Sequence, residues 1–170
     1  MSRAAGRRAP RVLAISSRGG HWTQLRRLRK AFDGCDTTWA STDPGLAKEV
    51  APDRFALIPD ASRWDRVKLV WSILCVLWLV VRTRPDAIVS TGAAPGFFAL
   101  RFGRFVGART LWLDSFANAE ELSLSGRKAS AFADIALTQW AHLGEPLPTS
   151  AGASDARRAK GRAYYAGAVV

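Results

Sequence analysis

The sequence is short of cysteine, of acidic residues and of long apolar runs, and each shortage closes off a class of protein. Its two cysteines, Cys35 and Cys75, stand far apart, one in a polar turn and the other inside an apolar stretch. Neither a disulfide framework nor a metal cluster can be drawn from them, and a reducing compartment fits such usage. The most apolar stretch, Val67 to Val81, is shorter than the ~20 residues a helix needs to cross a bilayer, so no transmembrane span is expected. Residues 1–10 carry Arg3, Arg7 and Arg8 without an apolar core, and Val12 to Ile15 is too short for a signal-peptide core. That opening reads as a basic, disordered leader, and no export signal is expected. No Gly-x-x-x-x-Gly-Lys-Ser/Thr loop occurs, and no Gly-x-Gly-x-x-Gly follows the first apolar run. A nucleoside-triphosphatase loop and a dehydrogenase-type dinucleotide fold are therefore not expected. There is no internal repeat.

Only 14 Asp and Glu face 25 Lys and Arg, giving a formal charge of +11 over 170 residues. Such an excess draws polyanions, either nucleic acid or anionic lipid headgroups. No helix-turn-helix, zinc or RNA-recognition signature is present, and tryptophans inside an apolar run are not a base-stacking platform. Nucleic acid is thus not the expected partner. A hydrophobic fraction of 48% belongs to an ordinary folded chain, and the length suits one well-buried domain rather than two.

Short apolar runs alternate with helical patterns. Arg11 to Ser16 is a buried strand stopped by Ser17-Arg-Gly-Gly20, and further strands are expected near 37–40, 55–58, 87–89, 110–113 and 135–138. Helical periodicity covers about 23–32, 45–51, 64–83, 96–106 and 120–133; in the first, Trp22, Leu25, Leu28 and Phe32 share one face. This alternation predicts an α/β fold, a Rossmann-like parallel sheet with helices on both faces, over residues 11–144. Residues 145–163, with Arg157, Arg158, Lys160 and Arg162 among small residues, read as a basic linker, and 164–170 as a C-terminal strand or partner contact.

Helix 64–83 is apolar in almost every direction and is bracketed by Arg63, Arg66, Arg82 and Arg84, with Trp64, Trp71 and Trp78 seven apart. A crossover helix buried on the sheet explains its hydrophobicity. A helix packing one face on the protein and dipping the other into a membrane surface explains both its tryptophans and its arginines. On that reading Trp64, Trp71, Leu74 and Trp78 meet the bilayer.

Two glycine turns follow two strands, Ser16-Ser-Arg-Gly-Gly-His21 and Ser90-Thr-Gly-Ala-Ala-Pro-Gly96. Both fall where α/β sheets bind ligands, at the carboxyl ends of strands, and both open a helix whose N–H groups favour an anion. Side by side they would cradle a diphosphate through Ser17, Gly19, Gly20, Thr91, Gly92 and Gly96. His21 at the helix mouth could take a proton from a sugar hydroxyl, hold a phosphate or merely cap the helix.

These residues carry a resemblance. Gly19-Gly-His21 with Gln24-Leu25, Arg84-Pro-Asp86 leading into Ser90-Thr-Gly92, Asp114-Ser-Phe-Ala117, Leu122-Ser-Leu-Ser-Gly126 and Gln139-Trp140 stand in the order of the Alg-fourteen family and its bacterial PssD-type relatives. The match covers about 11–140, and the two glycine loops look more distantly like the N-terminal half of MurG. It departs where relatives carry Glu at Asp114, and where the basic linker replaces a Tyr-Pro-x-Ala stretch. What the resemblance implies is the N-terminal half of a GT-B fold and a glycosyltransferase split into two chains. This chain would be the acceptor-binding half, peripheral on the cytoplasmic face of the cell membrane, with anionic lipids beneath it and a lipid-diphosphate acceptor bound. An Alg-thirteen-like or PssE-like subunit would bind the UDP-sugar, and no cofactor or metal would be needed. His21 and Asp114 are the candidate catalytic residues. The competing expectation is a non-catalytic membrane adaptor for a catalytic subunit.

Overall fold

A computed structural model describes residues 8–60, 65–147 and 161–168. Eight strands form one sheet: β1 (Arg11–Ile15), β2 (Asp36–Ser41), β3 (Arg54–Leu57), β4 (Ala87–Ser90), β5 (Arg109–Leu113), β6 (Ile135–Thr138), β7 (Glu145–Pro146) and β8 (Tyr164–Tyr165). They lie in the order β3-β2-β1-β4-β5-β6-β8-β7, and the pairings are parallel. The helices are α1 (Gly20–Arg27), α2 (Ala47–Val50), α3 (Arg66–Thr83), α4 (Ala93–Gly103) and α5 (Leu124–Ser130).

β1 shows why its sequence is continuously apolar. Successive side chains on a strand point to opposite faces, and both faces here are covered. Leu13 and Ile15 pack with Val76, Leu79 and Val80 of α3 and Leu100 of α4. Val12 and Ala14 face the other way, against Trp22 and Leu25 of α1, Trp39 of β2 and Val50 of α2. Trp39 is fully buried, with edge contacts to Trp22 at 5.8 Å and Phe32 at 5.6 Å between ring centroids. Its indole N–H is not orphaned, since Nε1 donates to Asp53 Oδ2 at 3.0 Å.

The chain winds outward from β1 through β2 to β3, and α3 then carries it back across to β4 on the other side of β1. The order reverses there, so the loops after β1 and β4 diverge from a shared crevice at the carboxyl edge. This is the switch point at which open α/β sheets bind ligands.

Some boundaries differ from those the sequence suggests. α1 begins at Gly20, not 23, because Gly19 at φ 78 ends the loop one residue before it. It stops at Arg27, and Arg29–Phe32 tightens into a 3-10 turn. α4 begins at Ala93 and contains Pro95 in its first turn, where an N–H would have no helical acceptor in any case. α5 is short because it starts only at the cap, where Ser123 Oγ accepts from Gly126 N. α3 starts after Asp65, whose carboxylate accepts from Lys68 N; Trp64 lies outside the described residues. Glu145 and Pro146, placed by sequence at the start of the linker, are instead strand β7 on the far side of β8. Of the linker and tail, residues 148–160 and 169–170 lie outside the described residues, as do residues 1–7 of the leader.

Candidate functional site

The two glycine loops meet at the switch point through one histidine. His21 sits in the first turn of α1, and its Nδ1 lies 2.9 Å from the carbonyl oxygen of Thr91, in the loop after β4. Thr91 returns the contact, its hydroxyl donating to the His21 carbonyl at 2.6 Å. A carbonyl only accepts, so Nδ1 carries the proton, and in the neutral ring Nε2 is left as the lone-pair nitrogen. The imidazole lies directly over Gly92: a Cβ there would stand 2.3 Å from Nδ1 and 2.4 Å from Cε1. Gly92 is thus a glycine because the histidine ring occupies the space of its side chain. The turn is also conformationally demanding, with Gly92 at φ 143 followed by Ala93 at φ 64, a left-handed value that costs a non-glycine residue about 1–2 kcal/mol. No side chain caps α1, so His21 is not a helix cap.

The first loop stays open. A Cβ on Gly19 or Gly20 would meet nothing within 4 Å, and the uncapped first-turn N–H groups of α1 point outward from the helix start. Ser17 borders the same space, its hydroxyl in a long 3.4 Å contact with the Arg18 carbonyl. The other two expected cradle residues are placed differently. Thr91 is completely buried and its hydroxyl is spent on His21. Gly96 is buried inside α4, where a Cβ would stand 1.8 Å from Ser90 Oγ. Its smallness brings α4 onto β4, and it faces the sheet instead of the crevice.

Asp114 is not placed as a base. It is 2% exposed at the end of β5, and its carboxylate accepts from four donors. These are Ser123 Oγ at 2.6 Å, Ser123 N at 2.8 Å, Trp112 Nε1 at 3.1 Å and Asn118 Nδ2 at 3.2 Å. A carboxylate has about four lone-pair positions, so none is left for a substrate proton. Gly126 leaves room for the group, since a Cβ there would come within 2.6 Å of Oδ1. Asp114 ties the 115–123 loop to its strand and to the start of α5.

Two glutamines that sequence reasoning did not single out as functional hold this loop to α1. Gln24, one turn after His21, accepts from Phe116 N at 3.3 Å and from Gln139 Nε2 at 2.8 Å, and donates to Ser115 Oγ at 3.3 Å. Gln139 Nε2 also reaches the Asp114 carbonyl at 2.9 Å. The signal was present, because polar Gln24 falls on the buried face of an amphipathic helix. Buried polar groups are seldom without a partner.

α3 turns two faces to different surroundings. Ser72, Val76, Leu79 and Val80 are buried, whereas Trp71, Leu74 and Trp78 are 60%, 50% and 61% exposed. Val67, Val70, Leu77 and Val81 extend the exposed stripe, and Arg82 lies over the Trp78 ring at 5.2 Å. Among the described residues no helix is long and apolar enough to cross a membrane, and no three His, Cys, Asp or Glu side chains gather as metal ligands would. Two cavities of about 560 and 570 Å³ lie at the opposite, amino edge of the strands, beside Arg11.

No family model matches the sequence. Over 76 residues, 41% of this chain and 35% of the relative, it is 36% identical to the UDP-N-acetylglucosamine transferase subunit ALG14 of Yarrowia lipolytica. Over 78% of the chain and 76% of the relative it is 26% identical to the alg14 subunit of Schizosaccharomyces pombe. Among solved structures, Acinetobacter baumannii MurG superposes with a TM-score of 0.65 over 92% of this chain at 14% identity. The chain spans 45% of MurG, which is a likeness of fold alone. With its parallel sheet, its switch-point crevice and these relatives, the chain is similar in sequence to Alg-fourteen-type subunits and shares a Rossmann-like α/β fold with part of MurG.

Proposed function

We propose that this chain is the acceptor-binding, membrane-recruiting subunit of a two-component glycosyltransferase. The partner, an Alg-thirteen-like or PssE-like chain, binds a UDP-sugar, and the pair transfers that sugar to a lipid-diphosphate-linked acceptor in polysaccharide or glycolipid synthesis. The observation that carries the reading is the lock of His21 between Thr91 and Gly92 at the switch point. It fixes the tautomer and leaves Nε2 able to accept a proton, beside an open helix N-terminus suited to a diphosphate. In the reaction Nε2 takes the proton of the acceptor hydroxyl as that oxygen bonds to the anomeric carbon. The bond from that carbon to the donor diphosphate breaks, and UDP leaves on the partner's side. On this reading the second half covers the crevice and keeps water from it.

The exposed stripe of α3 supports a peripheral position on the cytoplasmic face of the membrane, apolar side chains at the headgroup boundary and arginines on anionic lipids. Such a position brings a lipid-borne acceptor to the crevice without a spanning helix.

Acceptor binding tests the reading. Vesicles carrying lipid-diphosphate-linked N-acetylglucosamine should hold the full chain more tightly than the same vesicles without it. Gly20→Leu should fill the open space at the loop and abolish that difference, about tenfold in affinity, with the fold unchanged. Equal binding to both vesicles would exclude this crevice as the acceptor site.

A further inference from the structure

At the carboxyl edge, next to the crevice, two loops present an aromatic pair that the reaction described above does not use. Phe116, in the loop after β5, stacks on Trp140, in the loop after β6, with ring centroids 4.6 Å apart and planes 29° from parallel. Phe116 is 38% exposed, Trp140 is half-buried, and His142 beside them, 6.1 Å from Trp140, is exposed.

The pair is rigidly held, and its own polar atoms are spent in holding it. Trp140 Nε1 donates to the Phe116 carbonyl at 2.9 Å, and Phe116 N donates to Gln24 at 3.3 Å. Trp140 N donates to Thr138 Oγ1 at 3.3 Å, and His142 Nε2 lies 2.7 Å from the Ala119 carbonyl. What the pair offers outward is therefore ring surface. His142 must donate from Nε2, so in its neutral form Nδ1 is a hydrogen-bond acceptor. Glu120, the next residue after Ala119, is exposed as well.

We propose that Phe116 and Trp140 form a pyranose-stacking platform, a carbohydrate subsite beside the crevice. The apolar C–H face of a sugar ring lies on the aromatic surface while its hydroxyls meet acceptors such as His142 Nδ1 and the Glu120 carboxylate. A neutral, hydroxyl-rich ligand fits this chemistry better than a phosphate. In a chain of +11 this loop instead carries Glu120 and Glu121, and Glu121 already engages Arg127 at 3.1 Å. Gln24, three residues after His21 and about 4.5 Å further along the axis of α1, accepts from Phe116 N and so ties the platform to the helix that carries His21. On the transferase reading, which this assignment of the sugar rests on, the ring bound there belongs to the glycan of the acceptor.

The test needs no transfer activity, so the platform and the transferase reading can fail separately. Saturation-transfer NMR on the full chain would use methyl β-N-acetylglucosaminide and methyl β-glucoside, with sorbitol as a control that has no ring face. Transfer is expected to the axial ring protons of both glycosides and not to sorbitol. Trp140→Ala and Phe116→Ala should each weaken it about fivefold, the size of one lost aromatic face, whereas Trp140→Phe should retain most of it. Phe116→Ala, at an exposed position, gives the reading alone if Trp140→Ala does not fold. Glycoside signals no larger than those of sorbitol, or signals unchanged in both alanine variants, would overturn the proposal. So would variants that weaken binding of the partner subunit while leaving glycoside signals intact, because the rings would then be a protein interface.

Discussion

His21 touches Thr91 through its ring and through its backbone, and substitutions separate these contacts from proton transfer. In the reconstituted pair, His21→Ala should lower kcat/KM by roughly 10²–10⁴, the range for a general acid–base group. The melting temperature should fall by only a few degrees, since the half-buried ring contributes one hydrogen bond, to the Thr91 carbonyl. His21→Asn can still donate to the Thr91 carbonyl but cannot accept a proton at neutral pH. Loss of activity in both variants with the fold intact supports base catalysis; activity kept in Asn and lost in Ala makes His21 a positioning group. Asp114 should behave in the opposite way. Because four donors converge on its buried carboxylate, Asp114→Asn should destabilise the chain by about 2–4 kcal/mol in denaturant melts. Unchanged stability with activity abolished would restore Asp114 as a base. At this scale the sequence was partly legible. The turn at Gly19, Gly20 and His21 was legible because a glycine turn opening a helix has a local signature. The burial of Asp114 and the packing role of Gly96 were not, since both depend on residues far away in the chain or across the sheet. Thr91 was read as a ligand because a sequence shows a hydroxyl but not the carbonyl that consumes it.

Among the elements, α3 carries the sharpest expectation. Changing Trp71, Leu74 and Trp78 together to Ser or Gln should release the protein from anionic vesicles in a sedimentation assay while leaving its melting temperature nearly unchanged. All three are at least half exposed, so they add little to the core. Collapse of the fold, or no vesicle binding by the unaltered chain, would make the stripe a packing surface. The sequence described this helix as apolar in every direction and allowed a buried crossover or a membrane surface. The structure assigns the buried face to Ser72, Val76, Leu79 and Val80 and leaves a second apolar face uncovered. Six of the eight strands were legible because each is a compact apolar run bounded by turn residues. β8 falls at the start of 164–170, which the sequence offered as a C-terminal strand or partner contact, whereas β7, likewise of two residues, is too short to show any period. They exist because the sheet edge at β6 offers partners, which is tertiary information.

As a whole molecule, the chain is a parallel Rossmann-like sheet covered by helices, with an apolar stripe exposed on one flank. On the proposed reading, a second such half supplied by the partner closes the cleft. The charge of +11 adds a long-range attraction to anionic membranes that salt should weaken. The most direct measurement is transfer of labelled sugar from a UDP-sugar to a lipid-diphosphate-linked acceptor in anionic vesicles, by this chain alone, by the donor-binding partner alone, and by the two mixed. The account predicts turnover only in the mixture, and its loss when this chain carries His21→Ala. Robust turnover by the isolated chain would contradict a split enzyme. Equal turnover by the partner alone on the same vesicles would contradict a catalytic role and leave this chain a membrane adaptor.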